Sequence, residues 1–465
     1  MMEYQVKIHG TSQIEVKVSY PLINKEKYSH FRMTAVFFIP EQLGVHERAF
    51  PRERLLSDLS VYTRFTTPRI SLSELLSKDC ESSPLTRLNH LWSKPQKSKS
   101  WRTRVIYELK TLVNIVLSET GSLIEASEYV EPEVTDAIID AVSKLISAMH
   151  KNKKPFPGKI KQPLIWTLED LGKDGPPSKK LNKRFESSLN RILHTRKKYG
   201  WDIPVDPHDF MAERMVYRSH KLKKWAQESL FLSVYNSRAA ASVAQFLLGL
   251  AAAVAMAFAV TATILSMKWF PQGSMYWALI AVIAYSLKDR IKENLRSIFL
   301  GISPFLVADR LHRLVDPRTD RRCGKIRESV SFSEMKKLNE DIKHFRRAGK
   351  DKLSLGLLHE KILKYKKDYI IHTVPLFENH TRLSGITDIV RLDMSNWVQK
   401  MDDSIEYLSC RIGDEYGEMK TNRVYHVNMV LKLERPESKY PDIMQRYRII
   451  MARKGILRIE EVNIR

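Results

Sequence analysis

The amino-acid sequence predicts an α+β membrane protein: a two-helix transmembrane hairpin flanked by cytoplasmic helical segments and by β-rich N- and C-terminal parts. Three observations carry this expectation. No charged residue stands between Arg238 and Lys268, nor between Lys268 and Lys288, and a bilayer core about 30 Å thick asks for about 20 apolar residues of helix. Apolar and polar residues alternate with period two near both ends of the chain, which is the mark of half-buried strands. Finally, 77 Lys plus Arg stand against 53 Asp plus Glu, a formal net charge of +24, so an anionic neighbour is expected. With 465 residues, 43% hydrophobic and 28% charged, the chain has room for several folded units and the composition of none of the disordered or polytopic classes.

Taken in order, residues 1–92 read as a β-rich domain. Tyr4, Val6 and Ile8, then Ile14, Val16, Val18 and Tyr20, then Phe31, Met33, Ala35, Phe37 and Ile39 alternate as an antiparallel meander would. Residues 93–150 read as a helical hairpin: Val105, Leu109, Leu112, Val113 and Val116 recur at helical spacing, and Pro132 sits where a second helix would start. Residues 151–205 read as a basic linker with an amphipathic helix, and 206–238 as a juxtamembrane helix opened by Asp206-Pro207. The hairpin occupies 239–287. Residues 288–372 read as a cytoplasmic helical region, with a capping box from Ser331 to Glu334 and a further helix around Leu353 to Tyr369. Residues 373–465 read as a second β-rich domain, in which Tyr425, Val427, Met429, Leu431 and Leu433 alternate and Arg453-Lys454-Gly455 marks a turn.

Lys221, Lys223, Lys224 and Arg238 precede the hairpin, and Lys288, Arg290, Lys292 and Arg296 follow it, whereas Lys268 is the only base in the connection. By the positive-inside rule both termini are expected in the cytoplasm. Gly249, Ala253 and Ala257 fall at i, i+4 and i+8, a small-residue stripe suited either to packing a second copy in lipid or to packing the partner helix of the same hairpin.

Between Lys151 and Gly200 fourteen Lys and Arg stand against four acids. Lys179, Lys180, Lys183, Arg184, Arg191, Arg196, Lys197 and Lys198 surround the apolar stripe Leu181, Phe185, Leu189, Ile192 and Leu193. They are candidates for an anionic membrane surface, or for the solvated face of an ordinary surface helix; a nucleic acid fits less well because aromatic stacking platforms are sparse there.

No nucleotide loop, nucleophile elbow, metalloprotease helix or dinucleotide fingerprint occurs, so no catalytic, cofactor or metal residue is assigned. Asp206, His208, Asp209 and Glu213 come nearest to a metal cluster, but acids in a first helical turn are accounted for by capping and the helix dipole. Cys80, Cys323 and Cys410 are too dispersed for a disulfide framework. The function expected is a membrane-anchored scaffold or sensor facing the cytoplasm and binding a protein or anionic lipid. The alternatives are an oligomeric effector acting on the bilayer and a membrane-bound enzyme without a recognisable motif.

Overall fold

The computed structural model describes residues 2–24, 26–77, 80–93, 98–125, 197, 210–236, 239–271, 274–306, 309–348, 359–380, 382–412, 415–437 and 441–463. The strands in chain order are β1 (Glu3–His9), β2 (Gln13–Pro21), β3 (Tyr28–Pro40), β4 (Leu59–Phe65), β5 (Ser233–Asn236), β6 (Arg310–Asp316) and β7 (Arg321–Ser333). They continue with β8 (Glu360–His372), β9 (Gly385–Asp393), β10 (Ile405–Ile412), β11 (Glu415–Asn422), β12 (Tyr425–Glu434), β13 (Ile443–Ala452) and β14 (Gly455–Val462). They build an eight-stranded sheet ordered β14-β13-β12-β3-β8-β7-β6-β5, a four-stranded sheet ordered β1-β2-β9-β4, and the separate pair β10-β11. The described residues divide into one compact unit of 1–62, 233–376 and 388–465 and another of 63–232 and 377–387.

The first unit is organised by β3. Its residues from Phe31 on are buried on nearly every position, so both of its faces are covered and it must lie centrally. It is hydrogen-bonded between β12, with Ala35 opposite Leu431, and β8, with Ala35 opposite Tyr365. The N- and C-terminal β-rich parts therefore share one sheet. The three-stranded meander is corrected to a β1-β2 hairpin and a third strand that leaves for the other sheet. The inner face of the large sheet packs on β2 and β9: Tyr20 of β2 stacks on Phe31 with ring centroids 4.9 Å apart, Asp388 of β9 meets Lys367, and Trp397, in the short helix Ser395–Val398 just past β9, meets Phe37 edge-on at 6.4 Å. The turn before β14 is closed by Gly455, at φ +128°, where an added Cβ would also run into the Thr11 carbonyl. Gly455→Ala is expected to destabilise this unit by on the order of 2 kcal/mol in denaturant unfolding; an unchanged midpoint would show that the turn can move.

The second unit is a helical core. Helix Lys99–Glu125 buries Trp101, Val105, Leu109, Leu112, Val113 and Val116. It packs on helix Phe210–Gln227 through Val113 and Ala226, with Asn114 Nδ2 donating to the Ala226 carbonyl at 2.7 Å. The helix expected after Pro132 lies outside the described residues.

Two expectations are overturned. The two-helix transmembrane hairpin is not supported. Helices Ala239–Trp269 and Met275–Leu306 do form and pack on each other, but only Gln245–Trp269 is long and apolar enough to cross a bilayer. The second helix meets Lys288, Asp289, Arg290, Lys292 and Glu293 after an apolar first part, Met275–Leu287, that falls short of the required length. Among the described residues the architecture is a mixed α/β fold with large antiparallel sheets and one candidate apolar helix. The cytoplasmic helical region is likewise corrected: helix Met275–Leu306 fills its start, but beyond it Ser331 lies in β7, the one regular α-helix among the described residues up to His372 is Glu340–Arg347, and β8 replaces the helix expected near Tyr369.

Candidate functional site

Two features of the first unit depart from ordinary packing. One is the helical pair Ala239–Trp269 and Met275–Leu306, inserted between β5 and β6. Those two strands are antiparallel neighbours, with Val234 opposite Leu314, so the insertion leaves and rejoins the sheet at one place and forms an arm. The helices meet through small residues, Ala251 and Ala255 on the first and Ala284 on the second, each almost completely buried. Most of the remaining apolar side chains are exposed: Phe246 at 71%, Ile264 at 62%, Trp269 at 74% and Met275 at 88%. A contiguous apolar surface on this scale is uncommon on a monomer in water and marks an interaction site.

Two of the arm's hydroxyls are satisfied within it, whereas the buried Trp277 Nε1 has no hydrogen-bond partner among the described residues. Thr263 Oγ1 donates to the Ala259 carbonyl at 2.9 Å and Ser266 Oγ to the Thr263 carbonyl at 2.7 Å, so neither hydroxyl needs water. Ser274 Oγ accepts from the Trp277 amide at 3.3 Å and caps the second helix, while Phe270 and Tyr276 stack across the turn at 6.1 Å. At the charged end of the apolar part, Lys288 Nζ lies 3.7 Å from the centroid of the Tyr285 ring.

The predicted stripe Gly249, Ala253 and Ala257 faces outward, and an added Cβ at Gly249 would meet nothing within 4 Å. It is not the face that packs the two helices; that role belongs to Ala251 and Ala255, two residues along. Both stripes have the i, i+4 spacing, so spacing alone cannot say which one the partner helix takes. Of the predicted surface-binding bases, Lys197 is described and exposed. Lys179, Lys180, Lys183, Arg184, Arg191, Arg196 and Lys198 lie outside the described residues, as do Asp206, His208 and Asp209. Among the described residues no group of three His, Cys, Asp or Glu side chains is placed to hold a metal ion.

The other feature is an ionic cluster in the core. Glu328 on β7 stands directly opposite Lys367 on β8, both on the inner face, and Asp388 on β9 comes down onto them. All three are fully enclosed. Lys367 Nζ donates to Asp388 Oδ1 at 2.8 Å and Oδ2 at 3.0 Å and lies 3.5 Å from Glu328 Oε1. His312 Nε2 on β6 is 3.7 Å from the other Glu328 oxygen, and the Tyr369 ring lies 4.9 Å beneath the ammonium. Burial works to raise the Glu328 carboxyl, but Lys367 foremost, then His312 and Arg310, outweigh it and hold the group at about 2. Burial pushes Asp388 up, and its share of Lys367 offsets this only in part. Among the described residues, the hydroxyls of Tyr20 and Tyr365 and both Glu328 oxygens have no hydrogen-bond partner. One ammonium thus serves two carboxylates in a place closed to solvent.

The sequence pattern does not reveal this cluster. Its only trace there is a lysine and a glutamate at positions where strand alternation expects apolar residues. No protein-family model matches this chain, and no curated protein and no solved structure matches it either.

Proposed function

We propose that the protein is a membrane-attached scaffold or sensor that enters the bilayer with its helical arm and holds its two folded units at the cytoplasmic surface. The observation that carries this reading is the first arm helix, uncharged from Gln245 to Met267 and exposed on most sides. An apolar helix needs a solvent or partner without water; lipid meets that need around the whole circumference, whereas one docked protein covers one side. The shorter apolar part of the second helix suits an arm that is inserted from one face and leaves by the same face without emerging on the other. The pairing of β5 with β6 and of β3 with β12 supports placing both ends of the arm and both chain termini on one side.

Flotation of the intact protein with phosphatidylcholine vesicles, followed by an alkaline carbonate wash, tests the reading. The protein is expected to float and to resist the wash; recovery in the soluble fraction rejects it.

The second reading, an effector that assembles in the bilayer, is favoured by the outward-facing stripe. Gly249, Ala253 and Ala257 are free to admit a second copy at close backbone distance. Gly249→Leu with Ala253→Leu adds bulk without polarity, so lipid association is expected to persist while detergent-phase mass falls to that of a monomer. A wild type that is itself monomeric removes this reading and leaves the first.

A further inference from the structure

The outer face of the large sheet, opposite the one packed on β2 and β9, is basic where the arm joins it. Strand alternation puts Lys364 and Lys366 of β8, Arg327, Ser329 and Ser331 of β7, and Arg32 and Thr34 of β3 on this face. The register aligns them in rows. Lys366 lies between Thr34 and Ser329, Lys364 between Val36 and Ser331, and Asp368 between Arg32 and Arg327. Neighbours across the ladder are roughly 5 Å apart, and successive rows roughly 7 Å. Helix Glu340–Arg347 covers the far end, where Leu338 and Ile342 close on Val36, Phe38, Ile362 and Val430.

The acids on this face are already engaged. Arg32 Nε donates to Asp368 Oδ1 at 2.6 Å, His30 Nε2 lies 3.4 Å from the same oxygen, and Lys366 Nζ lies 3.5 Å from Oδ2. Glu434 holds Lys432 at 2.9 Å. Lys364, Arg327 and Lys325 have no ion-pair partner among the described residues. Burial first, and Lys366 second, depress the Lys364 ammonium below its ordinary value, and Glu434 offsets this only in part.

Location adds the rest. β6 begins at Arg310, opposite Glu328, so Ser329–Ser333 of β7 run on past it with no outer strand. The chain returning from the arm enters at this gap, where Asp309 Oδ2 accepts from the Val330 amide at 2.7 Å. Arg327 on β7, and Lys364 and Lys366 one strand further in on β8, therefore lie on the sheet face beside the root of the arm. We infer that this face binds the phosphate headgroups of anionic lipids where the arm enters the bilayer. The inference rests on the membrane reading above. Pairs of cations flanked by hydroxyls at these spacings suit a phosphate's oxygens. A polynucleotide suits them less, because the aromatic rings of this face stand at its ends, and one of them, Phe38, is already taken by Arg346 at 5.5 Å.

The test uses the full chain with two sets of vesicles, phosphatidylcholine alone and an equimolar mixture with phosphatidic acid. Lys364→Gln with Arg327→Gln is expected to leave recovery on neutral vesicles unchanged and to reduce the preference for anionic vesicles by about five-fold per charge removed. Arg327→Gln alone, at an exposed side chain, is expected to show the single five-fold step and guards against misfolding of the double variant. If wild type does not bind neutral vesicles, the arm reading fails. If it binds them and both variants keep the full anionic preference, this inference fails alone. Saturation of the wild type by inorganic phosphate without vesicles, lost in the double variant, would reassign the site to free phosphate, and the same pattern with single-stranded polynucleotide would reassign it to nucleic acid.

Discussion

Lys367→Met is expected to cost about 3–5 kcal/mol of stability, among the largest effects available to one substitution in this chain, because it leaves two enclosed carboxylates without their shared cation. Lys367, Glu328 and Asp388 are all inaccessible to solvent, so water cannot take over the lost interaction. The pH dependence gives a sharper signature. In the wild type the folded pKa of Glu328 is about 2, below its unfolded value of roughly 4.3, so its contribution is present above the unfolded value and is lost as pH falls through about 2. Without the ammonium, burial is opposed at Glu328 only by His312 and Arg310 and at Asp388 only by Tyr369, so both carboxyls rise from their wild-type positions. The variant should then lose less stability than the wild type on acidification through the carboxylate range. Replacing all three groups together, Lys367→Met with Glu328→Gln and Asp388→Asn, is expected to restore much of the loss, since no buried charge remains. Denaturant unfolding at several pH values checks both statements. A variant with the wild-type pH slope would mean that the carboxylates do not depend on Lys367.

The same cluster explains why part of the fold is hidden in the sequence. Alternation is plain where core positions are apolar, as in Val427, Met429 and Leu431 of β12 or Val16 and Val18 of β2, and those strands are legible. In β8 the inner face reads Leu363, Tyr365, Lys367, Tyr369 and Ile371, with a second lysine next to the buried one on the outer face. A fully enclosed lysine resembles a solvent position, so the period-two pattern breaks in its middle and the stretch resembles a basic helix. Glu328 does the same to β7. Both polar positions make sense only once the strands are side by side, because their partner Asp388 comes from a strand distant in sequence. Pairing is equally invisible locally: β3 follows β2 in the chain, and nothing in either segment says that it crosses to the other sheet. The arm is half legible. Its first helix follows from the absence of charge, whereas counting uncharged residues through the turn at Pro271 overstates the apolar length of the other helix. The stripe at Gly249 illustrates the remaining ambiguity, since an alanine-rich helix offers several equivalent small faces and tertiary packing selects one.

Met256→Arg is expected to reduce partitioning into neutral vesicles by roughly a hundredfold, the 2.5–3.5 kcal/mol that a charge at the middle of an apolar helix costs in a bilayer. Met256 lies near the centre of Gln245–Trp269 and is 55% exposed, so no packing in the folded units depends on it and unfolding measured without lipid should be unchanged. Its neighbours Phe258 and Val260 are exposed as well, so the guanidinium would enter an apolar surface. Snorkelling along the helix recovers part of the cost and makes the hundredfold an upper figure. Met256→Leu keeps the volume and polarity of the site and should float as the wild type does. Ala251→Arg provides the contrast: it places the charge between the two arm helices, so it should disrupt the arm itself and lower stability without lipid as well. Equal flotation of Met256→Arg and wild type would mean that the exposed apolar side of the arm does not face hydrocarbon, and the membrane reading would fall.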